Sequence, residues 1–216
     1  PQLADFDLNG NGKIDDGEEN WGYELDSADD LYWFADKVNN EDASINAVLT
    51  DDIAVNNGVL DEDGELNSDT SNFIEWTLIG NFSSKYSGTF DGAGYTISGL
   101  YFNESNKEYV GLFGITKGTI KNVTVADSYF CGRYYVGGVC GYNYGTISNC
   151  YNTGTVTGND YVGSVCGDNY GTISNCYNTG DVTATGEEAF VGGVSGFNRE
   201  ETTITNCYYL DTIAEN

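Results

Sequence analysis

The sequence predicts an all-β fold: a right-handed parallel β-helix (β-solenoid) of rungs about 26 residues long, with a helical cap at its N-terminal end. Three observations carry this. A pattern recurs at a nearly fixed interval, each unit is too short to enclose a core alone, and its apolar residues show no helical period. Four segments follow: an acidic loop at 1–20, a capping lead-in at 21–87, stacked rungs at 88–210 and a tail at 211–216.

The first segment contains DLNGNGKIDDGE, residues 7–18, which satisfies the calcium-loop spacing D-x-[DN]-x-[DN]-G-x5-E throughout. Asp7, Asn9 and Asn11 offer side-chain oxygens, Gly12 makes the sharp turn and Lys13 gives its carbonyl. Asp15 fills the ninth position and Glu18 is the closing bidentate carboxylate, so Ca2+ is the expected ion. A second acidic stretch, DEDGELN at 61–67, lacks both this spacing and the closing Glu.

Within the lead-in, SADDLYWFADKVN at 27–39 reads as a helix. Ser27 caps it, Asp29 and Asp30 suit its first turn, and Leu31, Phe34, Ala35 and Val38 form one apolar face. A helix laid over the first rung would cover apolar ends and strand edges that a solenoid otherwise exposes. Trp33 is expected to pack there rather than to serve as a carbohydrate platform.

The rungs follow from two aligned elements. Val110, Val136, Val162 and Val191 begin VGLFG, VGGVCG, VGSVCG and VGGVSG, spaced by 26, 26 and 29 residues. GTIKNV, GTISNC, GTISNC and TTITNC then begin at Gly118, Gly145, Gly171 and Thr202, with a forerunner, GTFDGAGYTISGL, at 88–100. Short Val/Ile/Thr/Tyr runs cut by Gly and Asn are strands joined by turns. Gly141, Gly154, Gly167 and Gly180 are expected at corners of positive φ. Asn149, Asn175 and Asn206 are expected to stack and hydrogen-bond along the axis. Cys150, Cys176 and Cys207 share a column with Val123, and Cys140 and Cys166 share another with Phe113 and Ser195. Columns that accept Val, Phe or Cys point inward, so these thiols are expected to be core, with a vertical disulfide as the rival reading.

The units VGGVCGYNYGTISNCYNTG resemble the GLUG motif of bacterial surface and secreted proteins. YSGTFDGAGYTISGLYF and YELDSADDLYWFADKVNN resemble the lead-in to such repeats, so the likeness covers roughly residues 21–210. It implies a β-solenoid found in adhesin-like proteins and in accessory regions of large secreted proteases, without enzymatic activity in the repeats. The acidic loop resembles one calcium loop of a dockerin. A dockerin has two such loops with their helices and this chain has one, which implies a structural calcium loop rather than a working dockerin.

Composition narrows the functions. With no His, the chain cannot form a Ser-His-Asp triad, a Cys-His dyad or a His-containing zinc site. A net charge of −26 excludes a nucleic-acid groove, and no apolar run is long enough for a membrane helix. The charge is concentrated in residues 1–75, with 21 acidic and 2 basic residues. Asp160, Asp168 and Asp181 fall in different parts of successive rungs and do not form the facing pair a glycosidase requires. An ice-binding Thr array fails after one rung, because Thr155-Val156-Thr157 aligns with Tyr129-Phe130-Cys131 and Asp181-Val182-Thr183.

The expectation is a non-catalytic extracellular or cell-surface structural or adhesion protein. Its partners would be other copies, surface proteins or glycans, with end-to-end homo-oligomers as one outcome. Tyr142, Tyr144, Tyr151, Tyr170 and Tyr177 are the candidate contact residues. The alternative is a polysaccharide-binding or polysaccharide-degrading module of a larger secreted protein.

Overall fold

A computed structural model describes residues 1–4 and 22–210. The calcium loop predicted at 7–18 (Asp7, Asn9, Asn11, Lys13, Asp15, Glu18) therefore lies outside the described residues. Described strands assemble into five stacked parallel sheets, one per side of the solenoid, with a single antiparallel strand, Gln2–Ala4, at one edge.

Side 1 is formed by Thr89–Asp91, Thr119–Lys121, Thr146–Ser148, Thr172–Ser174 and Thr203–Thr205. Thr96–Ser98, Thr124–Ala126, Tyr151–Asn152, Tyr177–Asn178 and Tyr208–Tyr209 make side 2. Side 3 holds Tyr101–Asn103, Tyr129–Cys131, Thr155–Gly158 and Val182–Ala184. Side 4 holds Glu108–Val110, Tyr134–Gly137, Asp160–Gly163 and Val191–Gly192. Phe113–Thr116, Cys140–Asn143, Cys166–Asn169 and Ser195–Asn198 complete the circuit as side 5. The Val column of the sequence is a register column: Val110 pairs with Val136, Val136 with Val162, and Val162 with Val191.

Stacking extends N-terminally of residue 88. Gly22–Leu25 and Asn46–Leu49 add two parallel strands to side 1, and Ile53–Ala54 adds one to side 2. The helix Ala28–Asn40 is the crossover between those two side-1 strands, so it stands where a rung would place its other sides. Its start is fixed as predicted: Ser27 has extended backbone, and its Oγ accepts from the Asp30 N–H at 3.4 Å. Leu31, Phe34, Ala35 and Val38 are all buried, and Phe34 meets Tyr86 and Phe90 of the first rungs at ring separations of 5.9 and 5.8 Å. Trp33 packs edge-on against Tyr23 at 4.8 Å, with the Lys37 ammonium over its face.

The interior tapers chemically along the axis. Side 1 runs Phe90, Ile120, Ile147, Ile173, Ile204, and side 5 runs Phe113, Cys140, Cys166, Ser195. Ile147 and Cys150 are fully buried, and so are Cys140, Cys166 and Cys176. The cysteines are free thiols, and Cys131 and Cys207 are half-buried. Large rings thus fill the space beneath the helix, and aliphatic and thiol side chains fill the middle.

The glycines act differently from the expectation. Gly141, Gly154, Gly167 and Gly180 do not have positive φ. They are required because a Cβ would run into backbone of the adjoining rung: at Gly180, for instance, it would collide with the Gly154 carbonyl. The left-handed corners belong instead to Asn122, Asn149, Asn175 and Asn206, with φ of 56, 52, 53 and 52°. Side-chain bonds join two pairs in this column: Asn149 donates to the Asn122 oxygen at 3.0 Å, and of the predicted ladder Asn206 donates to Asn175 at 3.2 Å.

A second, interior ladder has no counterpart in the expectation. Asn143 donates to Asn169 Oδ1 at 2.8 Å and Asn169 to Asn198 Oδ1 at 2.6 Å, while Gly145 and Gly171 N–H groups cap their oxygens. The amides of Asn143 and Asn169 are buried and paired on both ends, which offsets their desolvation, and exposed Asn198 closes the ladder.

Candidate functional site

A feature that packing alone does not require stands on side 4, within its strands and next to side 5. Tyr109, Tyr135 and Tyr161, one per rung, have φ of 63, 58 and 56°. This left-handed region costs an L-residue with a bulky side chain about 1–2 kcal/mol, and glycine would avoid the cost. The rings stack along the axis: Tyr109 on Tyr135 at 5.1 Å and 10°, Tyr135 on Tyr161 at 5.0 Å and 34°, Tyr161 against Phe190 at 5.2 Å. Aromatic contacts of this kind contribute about 0.5–1.5 kcal/mol each, enough to offset the strain and little more.

A second column adjoins the first. Tyr142 stacks on Tyr170 at 5.1 Å and 23°, and Tyr144 touches both at 5.0 and 5.2 Å. Edge-to-face contacts of Tyr142 with Tyr109 and Tyr135, and of Phe197 with Tyr161 and Phe190, join the columns into one aromatic comb. Neighbouring rings occupy most ring faces of the comb. Burial pushes the Tyr109 and Tyr135 hydroxyls up, which keeps them neutral donors.

At the C-terminal end of the comb lies an ion pair. Asp168 occupies the register column of Ile115, Tyr142 and Phe197, and its side chain is fully buried. Arg199 binds it in a fork, with Nε 3.1 and 3.2 Å from its two oxygens and a terminal nitrogen at 2.6 Å. The guanidinium sits against Tyr170 and Phe197 at 4.9 and 4.6 Å. Burial pushes the Asp168 carboxyl up and Arg199 pulls it back in part, while the carboxylate raises the arginine further. Both groups are consumed by each other, so neither is a free acid, base or nucleophile. Arg133 lies over the Tyr134 ring at 4.7 Å and takes no part in this pair.

The other predicted tyrosines are elsewhere. Tyr151, Tyr177 and Tyr208 follow one another in register on side 2, and the Tyr151 and Tyr177 rings meet edge to face at 6.5 Å. Tyr144, Tyr151, Tyr170 and Tyr177 are 38–45% exposed, as expected of contact residues. Tyr109, Tyr135 and Tyr161 went unpredicted, although the sequence carries their signal: an aromatic residue directly precedes the Val of every VG element. Among the described residues, no cluster of three or more His, Cys, Asp or Glu is arranged to hold a metal.

Residues 132–157 and 158–183 match the family model described as the GLUG motif. A Haloquadratum walsbyi protein named halomucin is 44% identical over 77 residues, covering 35% of this chain and 1% of its own length. An Evansella cellulosilytica protein named as a Gly-rich membrane protein is 33% identical over 79 residues, covering 34% of this chain and 9% of its own. The chain therefore spans only a small part of either relative. A solved Bacteroides ovatus structure, named as an immunoglobulin A1 protease, superposes with a TM-score of 0.59 at 18% identity, over 90% of this chain and 77% of that one. That likeness concerns the fold.

Proposed function

We propose that this GLUG-repeat solenoid is a non-catalytic module of a secreted or cell-surface protein, and that its aromatic comb is the surface through which it engages glycans or other surface proteins. One observation carries the reading: three successive rungs keep a tyrosine in a strained conformation where glycine would be unstrained, which aligns ring edges and hydroxyls along the axis. The names of the relatives, a halomucin and a membrane protein, agree with a cell-surface location. Against catalysis stands the Asp168–Arg199 pair, whose charged groups are spent on each other. Nothing in the comb resembles the two spaced carboxylates of a polysaccharide hydrolase.

Binding is tested on a glycan array and on immobilised surface-protein extracts with the wild type and a Tyr144→Ala/Tyr170→Ala double variant. Signal on specific glycans or extract components, lost in the variant, supports the reading. A wild type blank on both refutes it.

Calcium stabilisation is part of the same proposal and rests on the loop spacing of Asp7, Asn9, Asn11, Lys13, Asp15 and Glu18. An ion that binds the folded loop and not the unfolded chain stabilises it by mass action. Chelation with EDTA should lower Tm, and added Ca2+ should restore it. A calorimetric titration without heat of binding would remove calcium from the proposal.

A further inference from the structure

We propose that Cys176 and Cys207 are an oxidation site, joined as a disulfide that fastens the last rung to the one before it. The two cysteines stand at the same position of adjacent rungs, each just ahead of a register pair, Tyr177 with Tyr208. Backbones stacked in this way are about 4.8 Å apart, within the roughly 4.4–6.8 Å Cα separation that a disulfide spans. Side chains in register on parallel strands usually point alongside each other, which disfavours closure. Here both residues lie outside the strands, directly after left-handed Asn175 and Asn206, so the pleat does not fix their direction. Cys207 leans towards its neighbour: its sulfur accepts the Cys176 backbone N–H at 3.4 Å.

Access selects this pair over the others. Cys140, Cys150, Cys166 and Cys176 are fully buried, and within the two cysteine columns only Cys207 is partly open. Cys131, the other partly open thiol, has Asn103 and Thr157 as register neighbours and no sulfur to join. A low-molecular-weight disulfide would be the oxidant. The Cys207 thiolate attacks it, forming a mixed disulfide and expelling one small thiolate. The Cys176 thiolate then attacks the Cys207 sulfur and expels the second. The two protons lost by the cysteines are taken up by the two leaving thiolates. A neighbouring Cys150 thiol and burial hold the Cys176 thiol above its usual range, and burial does the same for Cys207. Oxidation should therefore be slow at neutral pH and faster in mild alkali.

The test treats the folded, reduced chain with oxidised glutathione, alkylates the remaining thiols and maps the peptides by mass spectrometry. The expected result is one cross-link between the Cys176 and Cys207 peptides, with four of the six cysteines alkylated. Cys207→Ser should abolish it and Cys131→Ser should leave it intact. Amide exchange in Thr203–Thr205 and Tyr208–Tyr209 should slow several-fold on oxidation. A Cys150–Cys176 cross-link, a glutathione adduct persisting on Cys207, or intermolecular disulfides alone would overturn the proposal. The map of the wild type decides this even if a variant does not fold.

Discussion

Phe90 and Ile204 belong to one interior column of side 1, yet Phe90 is fully buried against the helix while Ile204 is 36% exposed. The same asymmetry holds across the two ends. Phe34, Tyr86, Phe90 and Phe113 interlock at the N-terminal end, whereas Val191, Tyr208, Tyr209 and Leu210 are exposed at the other. Among the described residues the last turn contributes sides 1 and 2, beside a groove of about 700 Å³ bordered by Tyr129, Asp181, Val182, Tyr209 and Leu210. The difference teaches that identical register positions are not equivalent in energy. In a stack whose rungs touch only their neighbours, a core residue is worth what lies above and below it.

The most direct way to break this comparison is to truncate one column at three heights. Phe90→Ala should cost about 3–5 kcal/mol and Ile173→Ala about 2–5 kcal/mol, since both leave enclosed cavities. Ile204→Ala should cost below about 1 kcal/mol, because solvent already reaches the site. Urea unfolding of the three variants checks the order. Equal losses at Ile173 and Ile204 would mean that the C-terminal edge is covered in solution, and the asymmetry would fall.

The comb offers a sharper contrast between its two kinds of contact. Removing Arg199 leaves the Asp168 carboxylate buried without a partner, which should cost about 3 kcal/mol. The double change Arg199→Ala/Asp168→Tyr restores the residue that Tyr142 supplies one rung earlier, and should recover most of the loss. If Arg199→Ala proves neutral, the pair is not holding that end of the comb together.

How much of this was legible in the sequence depends on which force sets each position. The rung columns and the helix could be read directly, since Val110, Val136 and Val162, or Leu31, Phe34, Ala35 and Val38, repeat at intervals that burial imposes. The corners were misread because two mechanisms leave the same trace. Glycine marks both positive φ and close backbone approach, and only three-dimensional neighbours reveal that Gly141 and Gly180 serve the second. The Asp168–Arg199 pair spans 31 residues and a change of rung, so no local spacing announces it. The interior ladder of Asn143, Asn169 and Asn198 hid behind the more visible Asn149 and Asn175, although it recurs just as regularly. Side-chain identity alone does not say which of two asparagine columns faces inward.

A partly offset effect on stability is expected at the middle of the comb. Tyr135→Asn removes a ring stacked between Tyr109 and Tyr161 and touching Tyr142, a loss of about 1.5–4.5 kcal/mol from three aromatic contacts. Asparagine tolerates the left-handed backbone that tyrosine adopts there, and this returns about 1–2 kcal/mol. The second term offsets part of the first, so stability should fall by about 0.5–2.5 kcal/mol in urea unfolding. Binding to whichever glycan or protein the wild type selects should nevertheless weaken, since the hydroxyl at the middle of the comb is gone. A variant that unfolds readily would show the tyrosines to be structural supports. One that folds and binds like the wild type would move the contact surface to the side-2 column of Tyr151, Tyr177 and Tyr208.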